Sequence, residues 1–159
     1  MSMTIDSSAF SDGQAIPRKH AYKGEGNNLS PALSWSGLPA GAKELALIVD
    51  DSDAPAGDWV HWVMYKISPG AGGLKEGLAV KDKLDEPAGA LQGKNSFNEI
   101  GYGGPIPPRG HGTHHYHFKL YALDTQLNAR PGLDKAALLK LMQGHVLAQT
   151  ETVGTYQRK

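Results

Sequence analysis

Two stretches of the chain concentrate side chains able to do chemistry. The first is Asp50-Asp51-Ser52-Asp53-Ala54-Pro55, followed closely by Trp59-Val60-His61-Trp62. Neighbouring carboxylates repel one another and need compensating donors or cations. Taken alone, the acidic run reads first as a solvated turn closed by proline, and second as a site at the mouth of a sheet. His61, set between tryptophans, reads first as a hydrogen-bonded core histidine and second as a ligand contact.

The second stretch is denser: Tyr102-Gly103-Gly104-Pro105-Ile106-Pro107-Pro108-Arg109-Gly110-His111-Gly112-Thr113-His114-His115-Tyr116-His117-Phe118. Glycine lets backbone approach a ligand closely, and proline fixes a loop at low entropic cost. Such a loop can offer backbone N–H groups to an anion without net positive charge. In a strand starting at His114, alternation puts His114, Tyr116 and Phe118 on one face and His115 and His117 on the other. The His115/His117 spacing suits zinc. No third ligand is apparent locally on their face, so a polar outward face is expected and no metal. His111 is expected to be solvated. No Gly-x-Ser-x-Gly elbow marks a serine nucleophile. The glycines at 70–73 and 101–104 fit neither a Walker A loop nor a dinucleotide fingerprint.

These residues need elements to hold them. Residues 32–35 alternate apolar and polar, as a half-buried strand does. Residues 45–49 are continuously apolar and read as a buried strand. Residues 59–67 read as the next strand, with Val60, Trp62, Met64 and Lys66 on one face and Trp59, His61, Val63, Tyr65 and Ile67 on the other. Residues 68–113 are mainly loop, a length usual for functional or disordered segments, and 114–123 return to strand. Near the C-terminus, Leu138, Leu141, Met142, His145 and Gln149 fall at helical spacing, which predicts a helix over 133–151 with Asp134 as N-cap. Gly144 would break or kink it, and residues 153–156 could form a last short strand. The fold class expected is mainly β: two packed antiparallel sheets with a helical segment near the C-terminus, in one domain spanning 1–159.

Composition narrows the function. The 159 residues include 40% hydrophobic and 20% charged, which suits a globule. The 16 basic and 16 acidic residues cancel, so neither nucleic acid nor a polyanionic membrane surface is an expected partner. With no cysteine there is no disulfide, thiolate metal site or cysteine nucleophile. No signal peptide and no apolar run approaching ~20 residues is found, so a cytoplasmic location and no stable membrane insertion are expected.

The two chemical stretches together resemble the phosphatidylethanolamine-binding protein family, also known for Raf-kinase-inhibitor-like members, in its bacterial branch. Asp51-Ser52-Asp53-Ala54-Pro55 with Trp59-Val60-His61-Trp62 carries half of the match. Tyr102-Gly103-Gly104-Pro105 through Pro107-Pro108-Arg109-Gly110 to His114-His115-Tyr116-His117-Phe118-Lys119-Leu120-Tyr121-Ala122-Leu123 carries the other half. Leu29-Ser30-Pro31, Leu33-Ser34-Trp35, Gly144-His145-Val146-Leu147-Ala148 and Val153-Gly154-Thr155-Tyr156 extend it nearly end to end. The resemblance implies a β-sandwich with a small pocket for phosphate-like anions. It implies ligand contacts from Asp51, His61, Pro107, His114 and Tyr116, with Asp53 supporting the loop. Ser52 stands where the family usually has proline, which removes a rigid residue beside the pocket aspartate. The connection from Pro55 to Trp59 is short and lacks a pocket tyrosine of eukaryotic relatives.

The function expected is binding of a small anionic ligand, phosphate, carboxylate or a phospholipid headgroup, by a regulatory or signalling module without catalysis or cofactor. A partner protein to be regulated is part of that expectation, and the resemblance implies a homodimer. The alternatives are a kinase or protease inhibitor acting through its surface and, ranked lower, an acid/base hydrolase using His61, Asp51 and His114. Neighbouring aspartate and a bound anion each raise a histidine pKa, so binding is expected to strengthen from pH ~8 towards 6.

Overall fold

The computed structural model describes residues 2–159. In chain order the strands are β1 (Thr4–Asp6), β2 (Leu33–Ser36), β3 (Glu44–Asp51), β4 (Trp59–Ile67), β5 (Gly73–Leu74), β6 (Leu91–Gln92) and β7 (His114–Leu123), then helix α1 (Lys135–Met142) and strand β8 (Val146–Tyr156). They form two antiparallel sheets, β1-β2-β5 and β6-β4-β3-β7-β8. The two-sheet antiparallel sandwich read from the sequence is the observed fold.

Strand β3 lies at the centre of the larger sheet and is buried along its whole length. Its Leu45, Leu47 and Val49 face the core between the sheets, with Trp35, Trp62, Met64, Phe118 and Leu120. Its Ala46 and Ile48 face a second core, with Tyr65, Leu123, Leu138 and Met142, where α1 covers the back of the sheet. Burial on both faces is why residues 45–49 show no alternation. Each fully buried aliphatic side chain here contributes ~1.5–3 kcal/mol.

Two expectations of detail are corrected. The helix does not run over 133–151. Asp134 does cap it, accepting from the Ala137 N–H at 2.9 Å, but α1 ends at Met142. Gly144 follows with φ +83°, a left-handed conformation that stops a helix at little cost for glycine. His145 and Gln149 continue the helical spacing by coincidence; Val146, Thr150, Thr152 and Val153 favour strand instead. They lie in the 11-residue β8, which pairs along all of β7.

The second correction concerns β4, whose alternation breaks twice. Leu45 pairs with Ile67 but Leu47 with Met64, leaving an extra residue at Lys66, φ +56°. Val49 pairs with Trp62 but Asp50 with Val60, so His61 is itself the extra residue of a bulge. A bulge re-aims a side chain and increases local twist. Ile67 thereby joins Trp62 and Met64 in the core between the sheets, instead of Val63 and Tyr65 behind it. His61 also turns inward, its ring centroid 5.1 Å from that of Tyr116.

The long segment 68–113 holds a single 3-10 turn, Pro69–Ala71, and the two-residue strands β5 and β6, each on a sheet edge. Side-chain amides order the rest. Gln92 accepts from Trp62 Nε1 at 2.8 Å and donates to the carbonyls of Ala79 and Lys81. Asn95 donates to the Gly101 carbonyl and accepts from the N–H groups of Phe97 and Glu99. Each satisfies buried backbone groups that would otherwise go unpaired.

Candidate functional site

One end of the inner core opens into a cavity of about 150 Å³. Four separate elements bring side chains to it. Asp51 ends β3, His61 sits in the β4 bulge, His114 and Tyr116 start β7, and Pro107 comes from the loop before β7. Ala54, Pro55, Trp59, Phe97, Ile106 and Pro108 make the remaining walls apolar.

The bulged His61 is clamped by one residue. Its Nδ1 lies 2.6 Å from the Gly103 carbonyl oxygen, and the Gly103 N–H donates to the His61 carbonyl at 2.8 Å. A carbonyl can only accept, so Nδ1 carries the proton and Nε2 is left with a lone pair when the ring is neutral. Burial lowers its pKa to about 4, against the opposing pull of the Gly103 carbonyl and of Asp51. The ring is therefore neutral at pH 7. Phe97 meets the ring edge-on at 5.4 Å. Glycine is required at 103, because a Cβ there would come within 2.6 Å of the Phe97 ring.

His114 and Asp51 form a buried pair, Nδ1 to Oδ2 at 2.6 Å, with 1% and 5% of their side chains exposed. The carboxylate accepts, so His114 carries its proton on Nδ1 in the neutral form. Its Nε2 lies 2.6 Å from Nδ1 of His111. Asp51 uses its other oxygen to accept from the Asp53 N–H at 2.8 Å. The Tyr116 hydroxyl is buried and makes no hydrogen bond of standard geometry among the described residues, although the Asp51 carboxylate lies close enough to act on it as an acceptor. Burial, reinforced by the nearby Asp51 charge, pushes its pKa upward, so it remains a donor.

The structure thus brings Asp51, His61, Pro107, His114 and Tyr116 together around one cavity, on a sandwich of the expected kind. Residues 6–157 match the family described as phosphatidylethanolamine-binding protein. The chain belongs to that family. It is 47% identical to a UPF0098 protein of Pyrococcus horikoshii over 159 residues, which is 100% of this chain and 78% of the relative. A UPF0098 protein of Methanothermobacter thermautotrophicus is 46% identical, with 98% of this chain and 99% of the relative covered. Among solved structures, a phosphatidylethanolamine-binding protein homologue from Chlamydia trachomatis superposes with TM-score 0.88 at 40% identity, covering 99% of each chain. YbcL of E. coli, described as a new member of the mammalian PEBP family, superposes with TM-score 0.93 at 33% identity, covering 100% of each.

Within this family fold, Asp53 stands outside the cavity. Its Oδ2 accepts from both the N–H and Nδ1 of His115 at 2.8 Å. Burial would raise its pKa, but those bonds outweigh it and hold the carboxyl below its usual value. Ser52, in the place of the family's proline, ties the turn down differently. Its hydroxyl lies 3.0 Å from Nε2 of His117, whose Nδ1 donates to Glu151 at 2.8 Å. His115 and His117 are therefore carboxylate-paired on the outer face, and among the described residues no three His, Asp or Glu side chains gather as a metal set.

Sequence reasoning missed His111, Phe97 and Trp59. His111 is exposed, as expected, but its Nδ1 also reaches Nε2 of His114. Its signal was the pair of flanking glycines, Gly110 at φ +72° and Gly112 at φ +93°, which curl the loop back. Trp59 and Phe97 meet edge-to-face at 5.5 Å at the cavity wall. Phe97 lay unremarked in the long loop, with no periodicity to betray it.

Proposed function

We propose that this protein is a binding module for a small oxyanion, a phosphate or carboxylate group, and serves regulation or signalling without catalysis. The observation that carries the reading is the buried Tyr116 hydroxyl, without a hydrogen bond of standard geometry, on a mostly apolar cavity. A buried donor without a partner costs free energy and marks where a ligand oxygen fits. Apolar walls with a few convergent polar groups are the usual make-up of a small-ligand site. None of the lining residues is Ser, Thr, Cys or Lys, so the wall offers no alcohol, thiol or amine nucleophile, and its Asp51 and His114 are already paired with each other. This favours binding over the hydrolase alternative.

Isothermal titration with phosphoethanolamine at pH 7 tests the reading through Tyr116→Phe, which removes only the hydroxyl. The variant should fold as the wild type does and bind about tenfold more weakly, the worth of one hydrogen bond of ~1–1.5 kcal/mol. Equal affinities would remove the phenol from the site and with it the reading.

A further inference from the structure

The polar groups of the cavity are of two opposite kinds, and this has a consequence for what can bind. We propose that His61 is a specificity-determining residue that selects oxyanions still carrying one proton, such as the monoanion of a phosphate monoester, over phosphodiesters and dianions. The inference rests on the anion-binding reading above and narrows it.

The argument starts from proton positions fixed by geometry. Gly103 takes the Nδ1 proton of His61 and also bonds the His61 backbone, so the ring cannot rotate to present that proton. The ring is buried against Phe97 and Tyr116. Its free nitrogen, on a residue lining the cavity, is a lone pair. A ligand oxygen without a proton would set negative charge against that lone pair. A ligand O–H satisfies it. The Tyr116 hydroxyl makes the reverse demand, since it is a donor that needs an acceptor oxygen. The ligand that answers both has at least one O–H and one unprotonated oxygen.

Charge points the same way. The ionisable groups around His61 are Asp51 at the end of β3, His114 and Tyr116 on β7, and His111 on the loop before β7. Asp51 is the fixed anion among them, already committed to His114 and to the Asp53 N–H. A second negative charge on the ligand adds repulsion from Asp51 and a larger desolvation cost against the apolar walls. A monoanion avoids both. A phosphodiester is also a monoanion but has no O–H, so it leaves His61 unanswered.

Methyl phosphate and dimethyl phosphate differ in that O–H and one methyl group. Calorimetric titration of the wild-type protein with each, at pH 6 and pH 8, reads the selection directly. At pH 6 the monoester should bind about tenfold or more tightly, since an unanswered buried acceptor forfeits one hydrogen bond. That advantage should vanish by pH 8, because a phosphate monoester loses its second proton near pH ~6. The diester has no titrating proton, so its own pH dependence reports the protein alone and corrects for it. In His61→Gln, whose side-chain amide can turn a donor to the cavity, both esters should bind alike. A diester binding within twofold of the monoester at pH 6 overturns the selection while leaving anion binding standing. An advantage that persists at pH 8 does the same. Failure of both esters to bind overturns the anion-binding reading as well.

Discussion

His114 and His115 are neighbours on β7, and each gives its Nδ1 to an aspartate, at 2.6 Å to Asp51 and 2.8 Å to Asp53. The chemistry of the two pairs is the same, but their settings differ. The His114 pair is closed off in the cavity wall, whereas 50% and 40% of the His115 and Asp53 side chains are exposed. Water can replace either partner of the outer pair. It cannot do so for the inner one without entering the cavity. Pairing alone therefore does not mark a functional histidine; pairing under burial, beside a cavity, does.

The comparison can be broken first by cutting each pair at its carboxylate. Asp51→Ala leaves the His114 Nδ1–H and the Asp53 N–H without their acceptor, and the loss of stability should be about 3 kcal/mol or more in urea titration. Asp53→Ala should cost under ~1 kcal/mol, as exposed pairs do. Equal losses would show that burial does not separate the two faces.

Acid titration is the next largest test. His61 has a pKa lowered to about 4 in the fold, against an unfolded value of ~6.5. Between those values the unfolded chain binds a proton that the folded chain refuses, so stability falls as pH drops from ~6.5 towards ~4 and levels off below. The contribution is on the order of 3 kcal/mol. His20, buried and likewise lowered chiefly by burial, acts in the same direction. In His61→Gln the acid-side loss between pH 7 and pH 5 should shrink by roughly 2 kcal/mol in total. An unchanged acid limb would mean the ring is not held neutral.

The smallest effects belong to the outer face. His117→Ala cuts bonds to Ser52 and Glu151 and should change stability by ~0.5 kcal/mol or less, with anion affinity unchanged. A marked loss of affinity would mean that the turn carrying Asp51 depends on the Ser52 tie.

How much of this was legible in the sequence follows from the same contrast. Strict alternation holds along the start of β7, so His114 and Tyr116 could be separated from His115 and His117 by counting. Counting failed on β4, because a bulge leaves no mark in residue types and His61 looked as if it shared a face with Val63 and Tyr65. The cavity residues Asp51, His61, Pro107, His114 and Tyr116 were reached through family resemblance, and no periodicity would have joined them across four elements. His111 escaped because its contact depends on two left-handed glycines, and the helix was overdrawn because apolar spacing carried across Gly144 into β8.

The most direct test of the central claim is an NMR titration with inorganic phosphate that follows the ring signals of the histidines. The account predicts saturable shifts for His61 and His114 with those of His115 and His117 unmoved. Shifts confined to His115 and His117, or no saturable shift at any of them, would contradict an anion site in this cavity.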